Sequence, residues 1–233
     1  MVFGFFSAEA QLNYQLHRSR NETSWFAGAN LGVTSYLGDL ARYNFDPIYK
    51  VKEESKFAFG FVIGKSLNQI YSAQAYFTKG GLAAYNDPKL ISYDAGLINY
   101  GLQLSINFNT LIGKQKYVPD SYIYGIAGAG SVIVKPQLFH ISSDSLVNNT
   151  PIDSLNYSSS ISTFEFNVGL GVNLSILRNM DAYAEIDYHH SFSDELDLTS
   201  GGKSDSFYHL SIGLRYRFAF AGNNGSSAFS NKR

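Results

Sequence analysis

Between positions 185 and 191 every second residue could do chemistry: Glu185, Asp187, His189 and Ser191, with Glu165 upstream and Arg215 and Arg217 downstream. A serine, a histidine and an acid are the parts of an acyl-transfer site, in which the imidazole takes the hydroxyl proton and the carboxylate orients the ring. His189, His190 and His209 are candidate ligands for a transition metal. Asp194, Glu195, Asp197 and Asp205 form an acidic stretch of the kind that holds calcium, but they lack the fixed glycine and the ligand spacing of a calcium loop. Each of these readings depends on what element carries the residues and which way it turns them.

The element is a β-strand, and the same pattern runs the length of the chain. From 98 to 108, Ile98, Tyr100, Leu102, Leu104, Ile106 and Phe108 alternate with Asn99, Gly101, Gln103, Ser105 and Asn107. Segments 164–174 and 208–218 repeat this, and weaker copies lie near 25–37, 56–66, 70–80, 121–134 and 181–192. Eight strands of about ten residues or more match the length a tilted strand needs to cross a bilayer. Alternation alone also fits a soluble sandwich, so the composition of the two faces decides. The polar face is mostly Gly, Asn and Ser, including Gly28, Gly32, Gly60, Gly64, Gly101, Gly169, Gly171 and Gly213, whereas a water-facing strand is rich in Lys, Glu, Arg and Thr. The apolar face is unbroken Phe, Leu, Ile, Val and Tyr. Charged residues make up 16% of the chain, against about 25% in soluble domains. The pattern predicts an all-β fold, an eight-stranded antiparallel transmembrane barrel of the outer-membrane type, apolar outward and polar inward. It must close, because an open sheet edge in lipid leaves backbone groups unsatisfied.

Other classes are excluded on composition. No run approaches the roughly 18 apolar residues of a spanning helix. A net charge of −1 does not suit a nucleic-acid binder, and the absence of Cys removes disulfide and thiol chemistry.

Inside such a barrel, Glu185, Asp187, Arg215, Arg217, Glu165 and His189 form a polar lumen cluster. A hairpin centred near Ser200 sets Glu185 opposite Arg215, Tyr183 opposite Arg217, Asp187 opposite Gly213 and His209 opposite Ser191. An eight-stranded barrel is just wide enough to be filled by its own side chains, so the cluster reads as a plug. Lipid A deacylases are eight-stranded barrels with a Ser-His-acid set that must face the lipid, but here His189 and Ser191 turn inward. No catalytic residue is therefore assigned. Because His189 and His190 point to opposite faces, no three-ligand metal set and no cofactor is expected.

Connections after the second, fourth and sixth segments (65–69, 109–116, 177–181) are short, and the others are long. Outer-membrane barrels place short turns in the periplasm, so both chain ends are expected there. The aromatics Trp25, Tyr100, Phe108, Tyr122, Tyr124, Tyr208, Tyr216 and Phe218 fit the two interfacial girdles. Lys65, Lys114, Lys116 and Arg178 make the short-turn side basic, a candidate docking surface for an acidic periplasmic partner. Residues 1–10, ending Ala8-Glu9-Ala10, read as a truncated export signal, 11–218 as the barrel and 219–233 as a flexible periplasmic tail.

Three stretches carry a resemblance: Tyr36-Leu37-Gly38-Asp39-Leu40, Ser121-Tyr122-Ile123-Tyr124-Gly125-Ile126-Ala127-Gly128, and Ser193-Asp194-Glu195-Leu196-Asp197 followed by the Arg215-Tyr216-Arg217-Phe218 ending. Across nearly its whole length the chain resembles the PorG-type outer-membrane barrels of the type IX secretion system. That resemblance implies a non-enzymatic barrel, in contact with outer-membrane lipid and lipopolysaccharide, that anchors a periplasmic ring lipoprotein. The alternative is a small surface barrel whose loops bind a ligand or lipopolysaccharide. Gly38, where the first strand turns into its loop, and Asp39, through local backbone hydrogen bonds, are expected to shape that loop.

Overall fold

The computed structural model describes residues 24–37, 54–86, 91–113, 120–140, 145–146, 160–177, 179–192 and 205–218. The strands are β1 (Trp25–Leu37), β2 (Ser55–Ser66), β3 (Tyr71–Asn86), β4 (Ile91–Asn107), β5 (Ser121–His140), the two-residue β6 (Ser145–Leu146), β7 (Ile161–Leu177), β8 (Met180–Ser191) and β9 (Ser206–Phe218), with one short helix, α1 (Phe108–Gly113). β6 only pairs with the last two residues of β5; the other eight strands form the ring.

Every neighbour in that ring is antiparallel, and it closes. β1 pairs with β2 from Trp25↔Lys65 to Ser35↔Ser55 and with β9 from Trp25↔Phe218 to Leu37↔Ser206, while β4 pairs with β5. Closure leaves no strand edge within the ring, as a hydrocarbon environment requires. Leu31, Phe61, Leu102, Leu170, Ile212 and many other large apolar side chains stand exposed on the outer surface. The predicted polar face lies inside: Asn30, Gln74, Asn99, Gln103, Asn167 and Asn173 are buried. Such an outer surface is stable only against lipid. Ile212, between Tyr208 and Tyr216 on the outer face of β9, tests this directly. Ile212→Arg is expected to destabilise the barrel in bilayers by about 2–4 kcal/mol, measured by denaturant unfolding in vesicles. A water-facing strand would show no such loss.

At the end where β1 begins and β9 finishes, the β2–β3 connection is tight, residues 67–70. Asn68 Oδ1 accepts from the backbone N of Ile70 at 2.8 Å and of Tyr71 at 2.7 Å, closing the β2–β3 turn. α1 opens the β4–β5 connection, with Asn107 Oδ1 accepting from Thr110 N at 3.1 Å as its cap. Its Leu111 and Ile112 are exposed beside the outer apolar surface.

The opposite end departs from expectation. Segment 80–98, read as strand end, long loop and strand start, is mostly paired: β3 and β4 run together from Tyr71↔Ile106 to Asn86↔Ile91, leaving only residues 87–90 between them. The alternation fails there because the interior changes character. Leu82, Ala84, Tyr93, Ala95, Leu97, Val132 and Val134 point inward and join Tyr36 and Phe207 in one apolar cluster. With apolar residues inside as well, period two disappears from the sequence while the strands continue. β2 and β3 last pair at Phe59↔Lys79, so the β3–β4–β5 arm rises seven residues further, on the order of 20 Å. It curls back over the mouth. The Thr34 hydroxyl on β1 donates to the Gly81 carbonyl on β3, and the rings of Tyr36 and Tyr93 lie 5.3 Å apart.

Candidate functional site: the lumen

The interior is layered. Nearest the termini, Arg217 Nε donates to Asp181 Oδ2 at 2.5 Å, and Ser175 Oγ donates to Asp181 Oδ1 at 2.7 Å. One step deeper, Arg215 Nη2 lies 3.4 Å from Glu185 Oε1, which also accepts from the Tyr124 hydroxyl at 2.6 Å. The Arg215 guanidinium sits over Phe26 (4.7 Å) and Tyr183 (4.6 Å), so a desolvated charge is met by ring faces as well as by its carboxylate. Gly171 leaves the space the Tyr124 ring occupies: a Cβ there would lie 2.4 Å from Tyr124 Cζ.

The middle layer is a hydrogen-bonded belt. Gln74 donates to Gln103 (2.8 Å), Gln103 to Asn167 (3.3 Å), Asn167 to the Tyr76 hydroxyl (2.9 Å), and that hydroxyl to Glu165 Oε1 (2.8 Å). His189 Nδ1 is 3.0 Å from the same Glu165 oxygen and 3.1 Å from Asn99 Nδ2. The His189 ring stacks on Phe207, 4.5 Å between centroids and 2° from parallel, where the apolar cap begins.

The six residues expected in the lumen cluster, Glu165, Glu185, Asp187, His189, Arg215 and Arg217, all turn inward, but the hairpin register differs from expectation. Asp181 stands opposite Arg215, Tyr183 opposite Gly213, Glu185 opposite Ser211 and Asp187 opposite His209. The hairpin is thus centred two residues earlier than Ser200. A slip of two on each strand preserves which face every side chain occupies, so parity in the sequence cannot detect it. Glu185 still reaches Arg215, diagonally across the pair. The partner of Arg217 is Asp181, a residue the sequence reading passed over although its parity placed it inside. Tyr122 and Tyr124, expected in the lipid girdle, face the lumen, where the Tyr122 hydroxyl accepts from Arg217 Nη2 at 3.3 Å.

The register also brings together a three-residue ligand set that the sequence reading did not expect. With His209 beside Asp187 instead of Ser191, the ligand atoms of Asp187, His189 and His209 lie within 4.8 Å of one another, all three residues buried. Ser191 and His189 are sealed in the lumen away from the lipid face. Of the basic residues expected on the short-turn side, Lys65 is exposed with its Nζ 5.6 Å from the Trp25 ring. Lys114, Lys116 and Arg178, and the loop residues Gly38 and Asp39, lie outside the described residues, as do 1–10 and 219–233.

A closed eight-stranded antiparallel ring, apolar without and polar within, defines a transmembrane β-barrel of the outer-membrane class. The family model of the outer membrane protein beta-barrel domain matches residues 1–218, and the chain belongs to that family, whose membrane is the bacterial outer membrane. No curated protein matches the chain in sequence. Among solved structures it is similar to Neisserial surface protein A, at 16% identity and a TM-score of 0.51, with 85% of this chain and all of that one covered. It is also similar to a major outer membrane protein from Thermus thermophilus (11% identity, TM-score 0.47, 85% and 100% covered). OprG from Pseudomonas aeruginosa aligns at 12% identity and a TM-score of 0.42, with 88% and 99% covered.

Proposed function

We propose that this barrel is a non-enzymatic, non-conducting component of the outer membrane that serves as an anchor, and that its termini end, with the short turns, faces the periplasm. The observation that carries the reading is the filled lumen: two ion-paired layers, a hydrogen-bonded belt and an apolar cap occupy the path a solute would take. A barrel with its interior occupied by its own side chains acts through its surfaces. The resemblance to PorG-type barrels supplies the finer version, in which the periplasmic face holds the ring lipoprotein of a type IX secretion machine, with Lys65, Lys114, Lys116 and Arg178 as the basic contacts and lipopolysaccharide against the outer leaflet.

Two measurements test this. Purified barrel in planar bilayers is expected to give no steady conductance; resolved unitary currents would contradict the plugged lumen. Detergent-extracted protein is expected to carry a periplasmic lipoprotein that is lost when the four basic residues are changed together to Gln. Retention by that variant would move the contact elsewhere.

The β3–β4–β5 arm favours a second reading, a surface barrel that presents this projection to an external ligand. Under that reading, trimming the arm abolishes function while the basic residues are dispensable.

A further inference from the structure

We propose that Asp187, His189 and His209 form a buried binding site for a divalent transition cation of the zinc class inside the barrel. The proposal is independent of what the barrel anchors. Asp187 and His189 are two residues apart on β8 and so point to the same interior face, and His209 stands directly across from Asp187 on β9. Two imidazoles and one carboxylate are a donor set that zinc and its neighbours accept, leaving a fourth position for water. Their ligand atoms lie within 4.8 Å of one another. Around a tetrahedral zinc with bonds of about 2.0–2.1 Å, ligand atoms sit about 3.3 Å apart, so closing on an ion takes side-chain movement of about an ångström.

Three further observations point to a cation at this place. Asp187 Oδ1 and His209 Nε2 have no hydrogen-bond partner among the described residues, though both side chains belong to residues only 4% exposed. Orphaned buried polar atoms are costly, and here both belong to residues of the ligand set.

The charges agree. Among the described residues between the termini end and the apolar cap, Glu165, Asp181, Glu185 and Asp187 are buried, and two arginines, Arg215 and Arg217, face them. Asp181 takes Arg217 and Glu185 takes Arg215. The two carboxylates left over are Asp187, a ligand of the site, and Glu165, whose Oε1 holds His189 Nδ1 at 3.0 Å. A dication bound by neutral imidazoles would balance both.

The surroundings of His189 are those of a ligand. A metal-bound imidazole gives its other N–H to a carboxylate, which fixes ring and tautomer, and Glu165 stands where that acceptor belongs, itself held by the Tyr76 hydroxyl. Turning the Asn99 amide offers its partnerless Oδ1 to the same N–H. Phe207 stacks on the face of the ring. Gly169 makes room for the carboxylate: a Cβ there would lie 2.1 Å from Asp187 Oδ1.

The experiment uses untagged full-length chain, refolded into detergent with and without ZnCl2 so that the closed barrel is loaded as it forms, then desalted. One zinc retained per chain is expected, with a higher unfolding temperature for the zinc-refolded sample. Refolding with CoCl2 should give the visible absorption bands of tetrahedral cobalt on imidazole and carboxylate. His209→Gln and Asp187→Asn, checked for folding by heat-modifiable gel migration, are expected to weaken retention at least about 10-fold. Glu165→Gln should weaken it by about 10–100-fold while the cobalt bands persist, and His190→Ala on the outer face should change nothing. Absence of the cobalt bands in the unaltered chain overturns the proposal whatever the variants do. Equal retention in the unaltered chain and His209→Gln also overturns it, marking the metal as surface-bound.

Discussion

Replacing Arg215 by Leu is expected to lower the stability of the folded barrel by about 3–5 kcal/mol, the usual consequence of leaving one member of a buried ion pair alone. Arg215 and Glu185 are both almost fully buried, and Arg215 is the cation that faces the Glu185 carboxylate. The ring faces of Phe26 and Tyr183 cannot take over that task, because a π face attracts cations and not anions. The double variant Arg215→Leu/Glu185→Leu is expected to recover most of the loss, since removing both charges also removes the desolvation of both. Denaturant unfolding in detergent measures each corner of the cycle. A loss below about 1 kcal/mol for the single variant, the range of exposed pairs, would mean that water reaches Glu185 and that the lumen is open at this layer.

Phe207→Ala is expected to cost about 3–5 kcal/mol, as for large aromatic side chains deleted from packed cores. Phe207 is 1% exposed and joins the apolar cap to the polar belt by stacking on His189. Its removal leaves a cavity walled by Tyr36, Tyr93 and strand backbone that cannot collapse, because a closed ring of hydrogen-bonded strands fixes their spacing. Phe61→Ala removes the same side chain from the outer surface, where lipid closes over the gap, and a much smaller loss is expected there. Equal losses at the two positions, read from unfolding midpoints, would contradict a solid cap.

Strand number, the two faces and the need for closure were legible in the sequence because they depend on parity. A side chain two residues along a strand returns to the same face, so Asn99 and Gln103 could be placed inside, and Leu102 outside, from composition alone. Asp181, missed as the partner of Arg217, carried the same signal. It stands near the start of its strand, four residues before the run that begins at Glu185. The β3–β4–β5 arm was illegible for a physical reason: its two faces are alike in polarity, so no alternation marks Leu82, Ala84, Ala95 and Leu97 as inward. Tyr122 and Tyr124 were assigned to the girdle because tyrosine is at home both at a lipid interface and in a hydrogen-bonded lumen, and only position separates the two.

The low charged fraction and the alternating glycine and asparagine face by themselves determined a lipid-embedded barrel with a narrow polar interior. They could not determine which interior residues meet. Register is set by the length and closure of the hairpin, and a slip of two residues on each strand leaves every face unchanged. That slip alone puts His209 beside Asp187 instead of Ser191. The tertiary structure therefore decided the ion pairs, the cap and the ligand set, because these depend on distances across the lumen, which ring closure creates and linear order does not contain.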